Sequence, residues 1–339
     1  MDTFLKQNKK IRKNLFDTYS IENNIRDTVV VEKDFWVCWI LKVISDTPEF
    51  RDNFIFKGGT SLSKVYDLIN RFSEDIDLVI SRNYLDLNYT TKHPDKEKKK
   101  IQKACIKKIQ ERILPLFSEQ ISNKFKNISK EKFNWKLEID KKDEQSILFY
   151  YPAFYSHEYI QPAVKLEFGS LSISYPCNFR TAKPYIRNKL DTFFNANKIK
   201  AVNDNISINT IDIERTFWDK MTILHKVANP DLIRIPKRYS RHYYDVSMFI
   251  KNYDYSKALS KPGLLEETVK NNIRFFNYKY FPFRNAEIGY LELIPSQEKI
   301  DFLKKDYEDM KDMFSDNIPE FNEIIQTIRS FEKIVNNKI

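Results

Sequence analysis

Two adjacent glycines, Gly58 and Gly59, constrain this chain more than any other local feature. The sequence of 339 residues holds only five glycines, so a neighbouring pair is not expected from composition alone. The pair follows the apolar run 53–57, which fits a short strand, and precedes residues 61–69, which have helical spacing. Glycine permits positive φ angles and a close approach of the backbone to a ligand. The pattern therefore predicts either a tight strand-to-helix turn or a loop that binds phosphate.

Polar side chains flank the glycine pair. Thr60 and Ser61 supply hydroxyl groups, while Lys57 and Lys64 supply positive charge. Backbone N–H groups at the start of a helix also favour anions, so these residues are candidates for nucleotide binding. The sequence lacks a P-loop here, because no Gly-Lys-Ser or Gly-Lys-Thr follows at the required spacing.

A pair of acids stands further along the chain, in the segment Asp-Ile-Asp-Leu-Val-Ile. This alternation predicts a strand over residues 75–80, in which Asp75 and Asp77 point to one face. Two carboxylates held together on a buried strand repel each other, and a divalent cation such as Mg²⁺ offsets that repulsion. The alternative interpretation is the solvated face of an edge strand.

A two-metal site for phosphoryl transfer needs a third carboxylate. Glu167 follows an alternating run in the predicted strand 162–168 and is the preferred candidate. Glu138 and Asp140 remain alternatives, because they end the first strand of a predicted β-hairpin over residues 133–151. The expected metal ligands are therefore Asp75, Asp77 and one of these three acids.

The order of predicted elements indicates two parts. Helices and strands alternate up to about residue 205, and from residue 211 onward the apolar spacing is mostly helical. This order predicts an α+β fold, with a mixed-sheet domain over residues 1–205 and an α-helical domain over residues 206–339. Residues 176–205 include Pro176 and Pro184 and are expected to be irregular.

Composition excludes several classes of protein. No segment approaches the roughly 20 apolar residues that span a membrane, and the N-terminal residues lack the apolar stretch of a secretory signal. The three cysteines are far apart, which argues against a disulfide framework. We therefore expect a cytoplasmic protein with no membrane contact. The net charge of +10 permits a polyanionic partner, with the basic stretches 92–112 and 225–242 as candidate contacts.

Three segments together resemble a known family. Residues 32–36 read Glu-Lys-Asp-Phe-Trp, residues 56–64 read Phe-Lys-Gly-Gly-Thr-Ser-Leu-Ser-Lys, and residues 71–78 read Arg-Phe-Ser-Glu-Asp-Ile-Asp-Leu. With these motifs the chain resembles the AbiEii/AbiGii toxins, which are DNA polymerase β-like nucleotidyltransferases akin to the mycobacterial MenT toxins. The resemblance is densest over residues 25–80 and extends to the strand of Glu167 and to residues 212–250.

The resemblance implies a polymerase β-like catalytic domain and a role for each matching position. Residues 58–61 would hold the triphosphate of an NTP, and the acids would bind Mg²⁺ or Mn²⁺. Ser73 matches an active-site serine, and Lys220 matches a lysine on a later helix that contacts the nucleotide. The expected catalytic residues are Asp75, Asp77, Glu167, Lys220, Ser73 and Asp245, and the expected nucleotide-binding residues are Lys57, Gly58, Gly59, Thr60, Ser61, Lys64, Arg71 and Arg241.

Some of these positions also have simpler interpretations. Lys220 lies among apolar residues of a predicted helix, where a lysine either extends its charged end to solvent or contacts a phosphate. Arg241 and Asp245 are four residues apart, so they are equally consistent with an ordinary helical ion pair.

The implied function is that of a toxin from a toxin–antitoxin or abortive-infection system. Such an enzyme would transfer a nucleoside monophosphate from an NTP to an RNA acceptor, the 3′ end of a tRNA, and a cognate antitoxin would be its partner. Two alternatives stay open. One is transfer to a Ser, Thr or Tyr hydroxyl of a protein, and the other is a nucleotide-binding interaction protein without turnover.

Overall fold

A computed structural model describes residues 1–25, 27–87, 92–128, 133–156, 161–200, 205–276, 283, 285–314 and 318–337. The chain forms two compact units. Met1–Val65 and Phe72–Thr210 form the sheet unit, and Tyr66–Arg71 and Ile211–Ile339 form the helical unit. The chain therefore contributes to the helical unit twice, first with a short segment and then with its whole C-terminal part.

The sheet unit is built on a mixed, seven-stranded sheet. Its strands are β1 (Phe54–Lys57), β2 (Asp75–Ile80), β3 (Lys136–Asp140), β4 (Asp143–Tyr150), β5 (Ala163–Gly169), β6 (Cys177–Ala182) and β7 (Ile206–Ile211). They lie in the order β3-β4-β5-β2-β1-β7-β6. Strand β2 is central, since it runs antiparallel to β1 on one side and parallel to β5 on the other.

Helices of the sheet unit pack around one core helix, α3. The helices are α1 (Asp2–Leu5), α2 (Lys9–Glu22), α3 (Thr28–Asp46), α4 (Pro48–Asn53), α5 (Gly58–Lys64), α6 (Pro94–Lys108), α7 (Leu114–Ile128) and α8 (Arg187–Ala196). Residues 29–41 of α3 are all buried, as expected of a helix that is apolar on nearly every side. Neither α3 nor another helix of the described residues has the length and apolar content to cross a membrane.

A π-helical turn, Ile109–Ile113, joins α6 to α7. Buried residues recur at every fourth position along this stretch: Ile101, Cys105, Ile109, Ile113, Phe117, Ile121 and Phe125. An α-helix has about 3.6 residues per turn, so a strict period of four drifts around its surface. The wider i→i+5 turn offsets that drift and keeps the stripe on one side.

The helical unit contains amphipathic helices around an aromatic core. They are α9 (Ile213–Ala228), α10 (Ser240–Asn252), α11 (Ser256–Leu259), α12 (Pro262–Phe275), α13 (Gln297–Glu308) and α14 (Phe321–Asn336). Phe217 of α9 meets Phe249 of α10 and Phe331 of α14 edge-on, with ring centroids 5.6 and 5.8 Å apart. Such edge-to-face pairs stabilise a core beyond the area that they bury.

The mixed sheet with helices confirms the predicted α+β class, but two local expectations were wrong. Residues 176–205 are not irregular, because β6 and α8 lie within them. The helix expected to reach residue 69 ends at Lys64. Its end is fixed by Lys183, whose N–H donates to the Lys64 carbonyl at 3.0 Å, and by the left-handed φ of 50° at Asp67.

Candidate active site

Gly58 lies where β1 turns into α5. Its φ angle is +80°, in the left-handed region that residues with side chains rarely adopt. A Cβ atom at this position would come within 2.0 Å of Oδ2 of Asp77. Two independent features therefore require glycine at position 58: the backbone conformation and the carboxylate of Asp77 that packs against it.

The carboxylates of β2 and β5 share one face of the sheet. Asp75 and Asp77 alternate with the buried residues Ile76 and Leu78, as strand geometry requires. In the parallel register of the two strands, Asp77 is paired with Glu167. Paired residues on adjacent strands point to the same side, so Asp75, Asp77 and Glu167 together are termed the acid face.

The two alternative carboxylates lie on a more distant strand. Glu138 and Asp140 belong to β3, which β4 separates from β5. Glu138 also forms an ion pair with Lys136 on its own strand. Among the three candidates for the third acid, Glu167 is thus the one on the strand adjacent to β2.

The acids of this region affect one another electrostatically. Burial, followed by the negative charges of Glu74, Glu167 and Asp77, raises the pKa of Asp75 to about 7. Lys33 opposes this rise. Burial is the largest cause of the raised pKa, the like charges on this face add to it, and a bound cation would offset both.

The donor chemistry of the acid face fits Mg²⁺ or Mn²⁺, which prefer carboxylate oxygens. Within the described residues, however, no three His, Cys, Asp or Glu side chains converge as a ready-made metal site. Glu167 pairs with Lys165 at 2.6 Å, and the same ammonium lies 3.7 Å from Asp140. A cation held by all three acids would therefore have to draw Glu167 away from Lys165.

The hydroxyl groups beside the glycine pair are engaged within the protein. The buried Thr60 donates to the Asp75 carbonyl, and its hydroxyl lies 2.8 Å from that of Ser73. The hydroxyl of Ser61 donates to the Gly58 carbonyl at 2.8 Å. These bonds brace the loop against the first residue of β2. The role of the Thr60 and Ser61 side chains in phosphate binding stays a prediction, beside that of the loop backbone.

The two lysines that flank the loop differ in environment. Lys57 is partly exposed and donates to the hydroxyl of Ser172 at 2.7 Å. Lys64 is buried, forms an ion pair with Asp34, and places its ammonium 3.0 Å from the ring centroid of Tyr185. The charge of Lys64 is therefore paired in the interior, and its role in nucleotide binding stays a prediction.

Helix α3 bears three consecutive charged residues that are all buried. Each binds a different segment: Glu32 accepts from the backbone N–H groups of Phe154 and Tyr155, Lys33 donates to Glu74, and Asp34 pairs with Lys64. Successive residues of a helix are about 100° apart, so three neighbours reach three directions. The hydrogen bond from Lys33 to Glu74 measures 2.5 Å, and Glu74 directly precedes Asp75 in the chain.

A second group of buried charges, the Lys220 cluster, lies in the helical unit and comprises Lys220, Asp245, Arg71 and His242. Arg71 donates through Nε and Nη2 to the fully buried carboxylate of Asp245 at 2.7 and 2.9 Å. Lys220 donates to the same carboxylate at 2.7 Å and lies 3.2 Å from Nδ1 of His242.

Charge within the cluster sets its protonation. Burial alone would raise the pKa of Asp245, but the charges of Arg71 and Lys220 hold it well below its usual range. Burial, with the nearby charges of Lys220 and Arg241, holds the pKa of His242 well below its ordinary value, so the ring is neutral. An ammonium group has only donors, and Nδ1 of the neutral ring therefore accepts from Lys220.

This geometry bears on two expectations, and the predicted role of Arg71 in nucleotide binding stays a prediction. Arg71, a predicted nucleotide ligand, has its guanidinium engaged with Asp245. The helical pair of Arg241 with Asp245 does not account for this aspartate either, because Arg71 and Lys220 hold it. The motif of residues 71–77 also spans both units, since Arg71 belongs to the helical unit and the acids to the sheet unit.

A family profile described as the nucleotidyl transferase AbiEii toxin of type IV toxin–antitoxin systems matches residues 39–337. The chain belongs to the AbiEii family. This confirms the resemblance, with the motifs of residues 56–64 and 71–78 inside the matched range, and it makes the protein a member of a family of toxin nucleotidyltransferases. Membership of the AbiEii family implies an NTP substrate and an antitoxin partner.

Two solved structures are named here among those similar to this AbiEii chain. JHP933 from Helicobacter pylori is 16% identical, with 91% of this chain and 91% of that chain covered and a TM-score of 0.40. MenT4, a nucleotidyltransferase toxin from Mycobacterium tuberculosis H37Rv, is 14% identical, with 95% and 97% covered and a TM-score of 0.44. No curated protein matches the sequence significantly.

Several residues of this AbiEii site were not singled out from the sequence. Glu32, Lys33 and Asp34 entered only as letters of a motif, and Lys165 and His242 were not candidates. A signal was present for the first three, since charges inside an otherwise apolar helix must find buried partners. Lys165 and His242 carried no comparable signal, because their neighbours come from strand pairing and from helix packing.

Proposed function

We propose that this AbiEii protein transfers a nucleoside monophosphate from an NTP to an RNA acceptor, the 3′ end of a tRNA. The observation that supports this most is the acid face, where Asp77 pairs in register with Glu167 and packs against Gly58. Carboxylates gathered beside a glycine turn are what metal-assisted phosphoryl transfer requires. A binding protein without turnover would gain nothing from burying Asp75 beside other carboxylates, an arrangement that raises the pKa of Asp75.

Asp75, Asp77 and Glu167 would hold Mg²⁺ or Mn²⁺ through their carboxylate oxygens. When bound, the metal neutralises negative charge on the triphosphate and on the departing pyrophosphate. The backbone of Gly58 and Gly59 would bring N–H groups close to phosphate oxygens, since glycine permits a close approach of the backbone to a ligand. Lys57, at the end of β1, adds positive charge beside this loop.

In the proposed reaction an acceptor hydroxyl attacks the α-phosphorus in line with the bond to the β-phosphate. A bond forms between the acceptor oxygen and the α-phosphorus, the α–β anhydride bond breaks, and pyrophosphate leaves with the electron pair. The hydroxyl proton passes to a base, for which a carboxylate of the acid face is the candidate. Ser73 would act near these acids, as the motif implies.

Lys220 and Asp245 enter the proposal through the motifs of the family. Lys220 is assigned to the nucleotide, and Asp245 holds its ammonium in a fixed position at 2.7 Å. Arg241, which is partly exposed on α10, is retained as a nucleotide contact.

Charge supports RNA as the acceptor. The chain has a net charge of +10, and residues 225–242 contain five Lys and Arg residues against one acid. Such a surface attracts a polyanion more than it attracts an ordinary protein. Nucleotides added to the 3′ end of a tRNA would block aminoacylation, which would explain toxicity in the cytoplasm and the need for an antitoxin.

The proposal is tested by following the label of each α-³²P NTP in turn. Purified protein is incubated with Mg²⁺, total tRNA and a cell extract, beside the Asp75→Ala variant. We expect label in tRNA with the wild-type protein alone. Label in a protein band would instead favour nucleotidylation of a Ser, Thr or Tyr hydroxyl. Nucleotide bound without any transfer would contradict the enzymatic proposal.

A further inference from the structure

A cavity of about 500 Å³ lies between helix α13 and the loop that joins α9 to α10. Its lining combines three cations, an aromatic ring and two acids: Lys237, Arg238, Lys305, Phe302, Asp306 and Asp309. The volume is within the roughly 300–1,000 Å³ that small-ligand pockets occupy. The whole cavity belongs to the helical unit.

Asp306 forms the fixed floor of this cavity. Its buried carboxylate accepts from the backbone N–H groups of Arg238 and Ser240 at 2.6 and 2.9 Å, and from the Ser240 hydroxyl at 2.6 Å. With three donors the carboxylate is satisfied by the protein itself. Asp306 therefore connects the end of the loop to α13. Its carboxylate stabilises the wall of the cavity and is not available to a ligand.

Two residues of the wall are locally unfavourable. Arg238 has a φ of +63°, a left-handed conformation that non-glycine residues avoid. Asp309 caps the C-terminus of α13, where the helix dipole disfavours a negative charge. The conformation of Arg238 allows its N–H to bond to Asp306, whereas the charge of Asp309 opposes the dipole of its own helix. Functional sites often contain residues whose backbone conformation or charge is locally unfavourable.

Phe302 adds the third unusual feature. Its ring is 43% exposed, although the chain buries most of its phenylalanines. It lies three residues before Lys305 on α13, so both side chains share one face of the helix. An exposed ring among cations is the combination with which proteins bind single-stranded nucleic acid, since the ring stacks on a base and the cations contact phosphates.

We propose that this cavity binds one unpaired ribonucleotide of the RNA acceptor. The base stacks on Phe302, the flanking phosphates contact Lys237, Arg238 and Lys305, and Asp309 accepts from the ribose 2′-hydroxyl. The role given to Asp309 explains why an acid is retained in a basic wall, and it selects RNA over DNA. The inference rests on the proposed function, since it takes RNA as the acceptor.

A strand, rather than a free nucleotide, fits the surroundings of the cavity. The same loop carries the exposed Arg234, and α13 carries the exposed Lys304 beside Lys305. These cations outside the cavity could contact the phosphates of neighbouring nucleotides, which a strand has and a free nucleotide lacks. The nucleotide in the cavity must be unpaired, because a base within a duplex has no free face for Phe302.

The test measures binding of a 5′-fluorescein RNA 12-mer without secondary structure to the full chain by anisotropy, without NTP. Phe302→Ala should weaken binding about tenfold, which is within the range for loss of one stacked base. Tyr290→Ala is the matched control, because Tyr290 is 58% exposed in the same unit but does not line the cavity. It should stay within about twofold of wild type. Circular dichroism melting would show that each variant is folded.

Salt dependence separates the lysines. Lys305→Ala should reduce the slope of log K against log salt by about 0.7, the value for one phosphate of a single strand. Lys251→Ala, which removes an exposed lysine of α10 that does not line the cavity, should leave the slope unchanged. Equal slopes for the two variants would overturn the proposal.

Asp309→Ala tests the choice of RNA. The wild type should bind the RNA 12-mer more tightly than the DNA 12-mer of the same sequence, and the variant should lose that preference. Equal binding of RNA and DNA by the wild type, or displacement of the 12-mer by AMP at equal nucleotide concentration, would overturn the inference. The binding assay needs no turnover. Loss of the predicted binding pattern with label transfer intact would overturn only this inference, and binding without label transfer would contradict only the proposed function.

Discussion

At the scale of single residues, Gly58 connects backbone geometry to the acid face. Its left-handed φ of +80° and the 2.0 Å approach of Asp77 to a built Cβ leave no room for alanine. We expect Gly58→Ala to displace the Asp77 carboxylate and to lower the transfer rate by about a hundredfold, comparable to the loss of one preorganised catalytic group. Rates of label transfer at saturating NTP would measure this.

Gly263→Ala supplies the matched control for that substitution. Gly263 lies in the first turn of α12, and a Cβ atom there meets nothing within 4 Å. Alanine is the better helix former, so this variant should be as stable as the wild type or more stable by up to about 1 kcal/mol. If Gly58→Ala were equally harmless to activity, the close packing of Gly58 on Asp77 would have no catalytic meaning.

Lys57 and Lys64 form a second comparison, because Lys57 is partly exposed and Lys64 is buried. Lys64 pairs with Asp34 in the interior, so Lys64→Met leaves a buried charge and should cost about 3–5 kcal/mol of unfolding free energy. Lys57→Met should cost less than about 1 kcal/mol and should raise the KM for NTP instead. Urea unfolding and steady-state kinetics would be measured on both variants.

The double variant Asp34→Asn with Lys64→Met provides the internal check. Removing both charges relieves the unpaired one, so the combined loss should be smaller than the sum of the single losses by about 1–3 kcal/mol. Additive losses would show that the two side chains do not stabilise each other. Asp34 would then be buried for another reason.

At the scale of elements, α3 organises the site through three buried charges. Burial raises the pKa of Glu32 from 4.5 to about 7, although the N–H groups of Phe154 and Tyr155 oppose the rise. Between those values the folded protein keeps a proton that the unfolded chain releases. The free energy of unfolding should therefore fall as pH rises through this window, by up to about 3 kcal/mol from this group.

Glu32→Gln removes that titration, because an amide does not ionise in this range. Between pH 4.5 and pH 7 we expect the variant to become more stable relative to the wild type. The reason is that the free energy of unfolding of the wild type falls as its buried carboxyl group ionises. Unfolding by urea at a series of pH values would give both curves. Parallel curves across the window would rule out Glu32 as a source of pH dependence.

Individual elements also show which parts of the fold the sequence could predict. Alternation identified β2 and the carboxylates on its exposed side, and helical spacing located α3 and α9 closely. Strand β6 and helix α8 were missed because prolines at 176 and 184 are typical of irregular chain. Proline at the ends of elements is compatible with order, and no local rule distinguished the two cases here.

The candidate site divides in the same way. Asp75 and Asp77 are two residues apart, so local geometry was sufficient to predict their shared face. The pairing of Asp77 with Glu167 depends on the register of two distant strands, and the buried partner of Lys64 lies 30 positions earlier in the chain. Such pairings come from tertiary packing, which one sequence alone could suggest only through the family resemblance.

At the scale of the whole molecule, the motif of residues 71–77 contributes residues to both units. Arg71 belongs to the helical unit and neutralises Asp245, whereas Asp75 and Asp77 belong to the sheet unit. One short motif therefore contains both a residue that pairs within the helical unit and the acids to which we assign the chemistry. Loss of activity on mutating Arg71 would not by itself identify a nucleotide contact, because the buried Asp245 would also lose a partner.

The central claim is that the acid face carries out nucleotidyl transfer, and substitution of one carboxylate tests it most directly. The measurement is the rate of label transfer from an α-³²P NTP by the wild type, by Asp77→Asn and by Asp140→Asn. Asparagine keeps the shape of each side chain and removes its charge. Asp140 serves as the control, because it lies on β3 and not on the strand adjacent to β2.

We predict that Asp77→Asn lowers the rate by at least about a hundredfold while the protein remains folded, and that Asp140→Asn stays within about threefold of the wild type. Equal rates for Asp77→Asn and the wild type would contradict the assignment of the acid face. An equal loss in both variants would contradict it as well, because the effect would then come from general negative charge on the sheet.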